Sequence, residues 1–197
     1  MSSARLQRAL AAIDAVNAGD PHRLRVAGVE RPKEIAHAEM VGDWVRRLRP
    51  EASEALLLAA RAHHIRRWAI PRSSYAEGRA GYFAWRRALH DLHAAEAARI
   101  LEVEGYDAAV VLRVQNIIRK HNLVNDPEVQ TLEDALCLVF LETQFHDLAG
   151  RLESGKMIEV VRKTLRKMTA AGREQALRME ITPDDRVLIE QALAGMR

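Results

Sequence analysis

Cysteine is nearly absent: Cys137 is the only one in 197 residues. An internal disulfide and a thiolate-rich zinc site are therefore excluded. Cys137 lies within LCLVFL and reads as a small buried hydrophobe. Long apolar runs are missing too. The longest, ALCLVFL, falls far short of the ~20 residues a membrane span requires. The opening MSSARLQRAL lacks the apolar centre of a signal peptide, so the expectation is a cytoplasmic protein with no membrane partner. Glycine and proline are sparse, 10 and 6, which leaves long uninterrupted segments dominated by Ala, Leu, Arg and Glu. Such segments favour helix. A large excess of either charge is also missing, with 30 Lys and Arg against 27 Asp and Glu. A net charge of +3 leans only mildly toward anionic partners, and nucleic acid is not expected among them.

Hydrophobic residues at 48% and charged residues at 29% describe a globular chain, long enough for one well-buried core and too short for two ordinary domains. The expectation is all-α, a single-domain bundle of about seven to eight helices over 1–197. Ser2 or Ser3 is placed to cap the first helix, whose apolar stripe is Leu6, Leu10, Ile13 and Val16. A polar connection leads through Pro32 to a second helix with His37, Met40, Val41, Trp44, Val45 and Leu48 on one face, ended by Pro50. The third starts near Ser53, and His63 and His64 lie seven residues after Leu56 and Leu57, two turns along the same face. A loop follows from Ile70 to Tyr75. The pattern then predicts a helix from about Gly81 to Val103 with His93 inward and His90 about a third of a turn away. The next opens at Asp107 and ends on His121. Thr131, Glu133 and Asp134 read as the capped, acidic start of another, with Asp134, Leu138, Leu141 and Phe145 as its buried stripe. Helices over Lys156–Met168 and from Thr182-Pro183 onward complete the chain.

His37, His63, His64, His93, His121 and Asp134 thus share faces with Leu, Val and Ile. A buried imidazole or carboxylate costs free energy unless it is hydrogen-bonded, paired or metal-bound. A single such residue is satisfied by a carbonyl, whereas several together are satisfied by one cation. Imidazole with carboxylate suits Fe, Mn, Co, Ni or Zn.

HAEMVGDWVRRL, LLLAARAHHIRRW, LHDLHAAEAARILEVEGY, VQNIIRKHN and LEDALCLVFLE, in that order, resemble the HD-domain metal-dependent phosphohydrolase superfamily over about 110 residues, from His37 to Glu142. The resemblance implies an HD-type helical core over about 33–153 with the helices of 155–197 packed on it. It also implies one or two divalent metals. His37 matches the first histidine of that family, His63 the histidine of its His-Asp pair, Asp134 its distal aspartate, and His93 and His121 the extra histidines of two-metal members. His64 stands where the paired aspartate belongs. It either replaces that ligand or weakens a second metal site.

Phosphoester hydrolysis needs cations beside the metal, and arginine is the better fork for phosphate. Arg66, Arg67, Arg72, Tyr75 and Arg119 are the expected substrate contacts. His64, Lys120 and Glu142 are the expected catalytic groups. Glu142 and His146, four apart, can also form a local pair, and Glu133 is either an acceptor behind a ligand histidine or a capping acid. The expected function is metal-dependent hydrolysis of an anionic small molecule, a nucleotide being the first candidate. An iron-dependent oxygenase on the same scaffold and a non-catalytic metal- or nucleotide-binding regulatory protein remain open, as does a homodimer.

Overall fold

Side-chain caps start five of the helices in the computed structural model of the chain, which describes residues 4–26 and 28–196. Ser53 accepts from the Leu56 amide at 3.1 Å and starts α3 (Glu54–Ala62). Asp107 accepts from Val110 at 2.9 Å and starts α5 (Ala108–Ile118). Asp126 accepts from Glu128 and Val129 at 3.0 and 3.3 Å and, with Pro127 at the first helical position, starts α6 (Pro127–Thr143). Thr169 caps α9 (Ala170–Arg178) and Thr182 caps α10 (Pro183–Ala194) in the same way. The remaining elements are α1 (Ala4–Asn17), α2 (Lys33–Leu48), α4 (Gly78–Val103), the short α7 (Phe145–Ala149) and α8 (Ser154–Arg166). The expected cap at Ser2 or Ser3 lies outside the described residues.

The chain is mostly helical, as its composition indicated, but the described residues form ten α-helices where seven to eight were expected. The polar connection before Pro32 is a hairpin of β1 (Arg23–Val26) and β2 (Val29–Pro32), antiparallel from Arg23↔Pro32 to Val26↔Val29. Gly28 turns it at φ +81°, a left-handed conformation that costs glycine little. A 3-10 turn at Arg67–Ala69 precedes the loop from Ile70 to Tyr75, which contains a second at Arg72–Ser74. Among the described residues, no helix is long and apolar enough to cross a membrane.

Buried apolar residues from Leu6 in α1 to Ala192 in α10 pack as one cluster. Helix α6 runs through it with α2 on one side and α9 on the other. It begins a turn earlier than Thr131, because Asp126 and not Thr131 is the cap; Thr131 Oγ1 instead donates back to the Pro127 carbonyl at 2.7 Å. Asp134 is therefore in the helix interior. Its carboxylate accepts from the Thr169 amide at 3.0 Å, from the Thr169 hydroxyl and from Gln130 Nε2 at 3.0 Å. It fixes the start of α9 to α6. The approach is so close that a Cβ at Gly172 would sit 2.8 Å from Asp134 Cγ, which accounts for glycine there.

Two outcomes follow from these contacts. Asp134→Ala strands the Thr169 donors and should lower stability by about 1–3 kcal/mol in urea unfolding; an unchanged midpoint contradicts the docking role. At the start of α6, hydrogen bonds from Arg113 hold Asp126 down from its ordinary 3.8 to about 2. A depressed carboxylate stabilises fully above its unfolded value and loses that contribution as pH falls from near 4 to about 2. Arg113→Gln should therefore flatten the fall of stability between pH 4 and 2. Parallel acid limbs for the variant and the parent chain exclude the pair as the cause.

Candidate metal centre

Three consecutive pieces of chain converge on one buried spot. The first turns of α2 present Glu34 and His37, three residues apart on one face and both buried. This helix has no cap of its own; the buried Asp20 reaches across and accepts from the Glu34 amide at 3.0 Å. Helix α3 stops at Ala62, so His63 and His64 lie in the turn beyond it rather than on its last turn. The chain then breaks at Arg66, which is left-handed at φ 52°, its amide donating to Asn17 Oδ1 at 3.2 Å. That break lets both imidazoles of the pair face inward. Helix α4 adds His93, fully buried.

The rings of His37, His63 and His64 pack against one another with centroids 4.2 to 5.1 Å apart, and His93 lies 5.7 Å from His64. One ligand atom from each of His37, His63 and His64 falls within 4.8 Å of the other two. The hydrogen bonds fix how the imidazoles are presented. His63 Nδ1–H donates to the Ala60 carbonyl at 2.8 Å, His93 Nδ1–H to the Ile65 carbonyl at 2.7 Å, and His64 Nδ1–H to Glu34 Oε2 at 3.2 Å. The two carbonyl bonds assign the proton of His63 and His93 to Nδ1 and leave Nε2 as a lone pair, the arrangement by which outer partners orient histidine ligands, while Glu34 fixes the orientation of the His64 ring. His63 Nε2 faces His37 Nδ1 at 3.2 Å. His93 Nε2 is buried and has no partner at all.

Burial keeps these rings neutral. It pushes His37 down to about 4 and His93 to about 3, with His63 and His64 also well below their ordinary value. Burial raises Glu34 to about 7 against the opposing charge of Arg67. Neutral imidazole is the form that binds a cation. The residues present therefore fit a divalent transition metal: a nitrogen donor set without thiolate, oriented from outside, with one further lone pair unused.

The cleft beside the rings is cationic. Arg67, Arg86, Lys120 and His90 line it together with His63, His64 and His93. Arg67 stacks over Trp85 with its guanidinium carbon 5.0 Å from the ring centroid, lies 3.9 Å from Glu34, and keeps Nη1 buried without a partner. Arg86 donates to His90 at 3.3 Å, and Lys120 pairs with the buried Glu133.

Several expected residues are placed elsewhere. His121 is exposed and bonded to Asn116 at 3.0 Å, because α5 ends at Ile118 and the chain reverses through left-handed Lys120 and Asn122; helical periodicity no longer applies there. Asp134 faces α9 and is outside the histidine group. Glu142 accepts from Trp44 Nε1 at 2.9 Å, and His146 pairs with Asp185, not with Glu142. Arg66 turns toward α4 and donates to Glu96 at 3.2 Å. Arg72 is consumed by the Tyr75 and Ala76 carbonyls, Tyr75 does not line the cleft, and Arg119 pairs with Asp91. The residue that the sequence reading passed over is Glu34, whose spacing from His37 was the available signal; His90, set aside there as a third of a turn from His93, lines the cleft with it.

Metal content separates these placements. His63→Ala should lose most of the bound metal, measured by elemental analysis after dialysis against trace metal. His121→Ala and Asp134→Ala should each retain it, and loss of metal from either would restore the wider ligand set.

No curated protein and no solved structure matches the chain. A family described as a domain of unknown function (DUF4202) matches residues 7–189, nearly the whole length, and the chain belongs to that family.

Proposed function

We propose that His37, His63 and His64 hold a divalent transition metal and that the protein hydrolyses a phosphorylated small molecule, with nucleotides the first class to test. The observation that carries the reading is the group of neutral imidazoles whose ligand atoms lie within 4.8 Å of one another, beside a guanidinium with a buried, unpartnered nitrogen. The resemblance to the HD superfamily between His37 and Glu142 supports it. It now rests on His37, His63 and His93, since His121 and Asp134 stand apart.

A divalent cation at this centre supplies Lewis acidity, lowering the pKa of a water toward neutrality and offsetting phosphate charge. The chain's own residues do the rest. Arg67 Nη1 is the donor left over for a phosphate oxygen, because its other contacts are the Trp85 face and Glu34. His90 accepts from Arg86 and thereby positions that guanidinium at the cleft. Glu133 does the same for Lys120. Glu34 orients His64 through Nδ1. Arg67, Arg86 and Lys120 border the histidines around a space of about 10 Å³, room for about one water. A phosphoryl group would therefore meet these cations only after their side chains part to admit it, and there they would neutralise charge that grows on phosphorus oxygens.

The test is phosphate release from a nucleotide panel by the metal-loaded chain. Arg67→Ala should keep its metal and lose about 10²-fold in kcat/KM, the usual scale for removing one donor to a developing charge. Iron with oxygen consumption and no phosphate release would favour the oxygenase reading instead, and tightly held metal with neither activity a binding role.

A further inference from the structure

A cavity of about 320 Å³ opens between the hairpin and the α6–α7 corner, and His37 forms part of its wall. A ring of the histidine group thus also borders this cavity. Three cations surround it: Arg23 from β1, Lys33 one turn before His37, and Arg151 just after α7. Among the described residues, none of the three has a carboxylate within ion-pair distance, although most of the arginines are paired, among them Arg31, Arg61, Arg66, Arg113 and Arg119. Asp147 is the single acid at the rim, so the cavity carries an excess of two positive charges. Unpaired cations around a concavity focus a field that draws in anions, and a carboxylate would need only one of them. A phosphoryl group, with two negative charges and three accepting oxygens, matches the excess.

We propose that this cavity is a second anion subsite, holding a phosphoryl group of the substrate remote from the one that reacts beside the histidines. The assignment rests on the hydrolase reading for what the group is attached to, but not for the anion binding itself. The hairpin then has a role in the site, since Arg23 enters the cavity from β1 while the Lys33 amide donates to the His22 carbonyl at 3.0 Å and ties the start of α2 to the base of the same hairpin. It also narrows the substrate class to small molecules bearing two phosphoryl groups.

The test titrates inorganic pyrophosphate calorimetrically into the full chain after passage over chelating resin, so that binding does not run through a metal. Arg23 and Arg151 are both exposed, and replacing them leaves the core untouched. The double variant Arg23→Gln/Arg151→Gln should bind pyrophosphate at least tenfold more weakly than the parent chain, while its metal content after reloading is unchanged. Affinity within twofold of the parent overturns the subsite. Failure of the hydrolase reading shows separately, as absence of phosphate release from the metal-loaded parent chain whatever the affinity for pyrophosphate.

Discussion

The desolvation of four imidazoles at one place is the constraint on which the rest of the site depends. His37, His63 and His93 are almost wholly removed from water and His64 largely so. Each must therefore find a partner or leave a polar atom stranded at a cost of about 1–3 kcal/mol. Carbonyls of Ala60 and Ile65 and the carboxylate of Glu34 satisfy one nitrogen on each of three rings. Of the opposite nitrogens, His63 Nε2 faces His37 Nδ1 and that of His93 is buried without a partner. A shared cation would satisfy several of these lone pairs at once.

The local chain chemistry serves that arrangement. Ending α3 at Ala62 and reversing the chain at left-handed Arg66 turns two adjacent histidines toward the same interior, which a continued helix does not do for residues one apart. Asp20 secures the start of α2 from a distance, and so sets the depth at which Glu34 and His37 enter the core. Asp134 performs the corresponding service for α9 on the far side of α6. Polar residues in this interior divide into those that join helices and those that face the cleft, and both kinds are buried.

That division explains what could be read in the sequence. The helices with strong caps, those opening at Ser53, Asp107 and Thr182, were legible because a capping residue followed by an apolar stripe is a local signal. His37 and His93 were legible because they lie inside such stripes. His121 was misplaced because the stripe was extended past Ile118, where the chain had already left the helix. Asp134 was correctly assigned to the interior, but periodicity gives the direction of a side chain and not the identity of what lies there; α6 is buried against α2 and α9 alike. Glu142 and Arg66 failed for the same reason, each satisfied by a partner far along the chain. The hairpin at Arg23–Pro32 was read as connection because two strands of four residues carry little hydrophobic alternation, and neither strand has a buried residue.

X-ray absorption at the metal edge of the reconstituted protein tests the central claim most directly. The account predicts an inner shell of at least three nitrogen scatterers at about 2.0–2.1 Å if the ion is zinc, with the outer-shell scattering that imidazole rings produce. A shell of oxygen scatterers without that imidazole signature would contradict it, and would leave the four histidines as a buried cluster without a shared ligand.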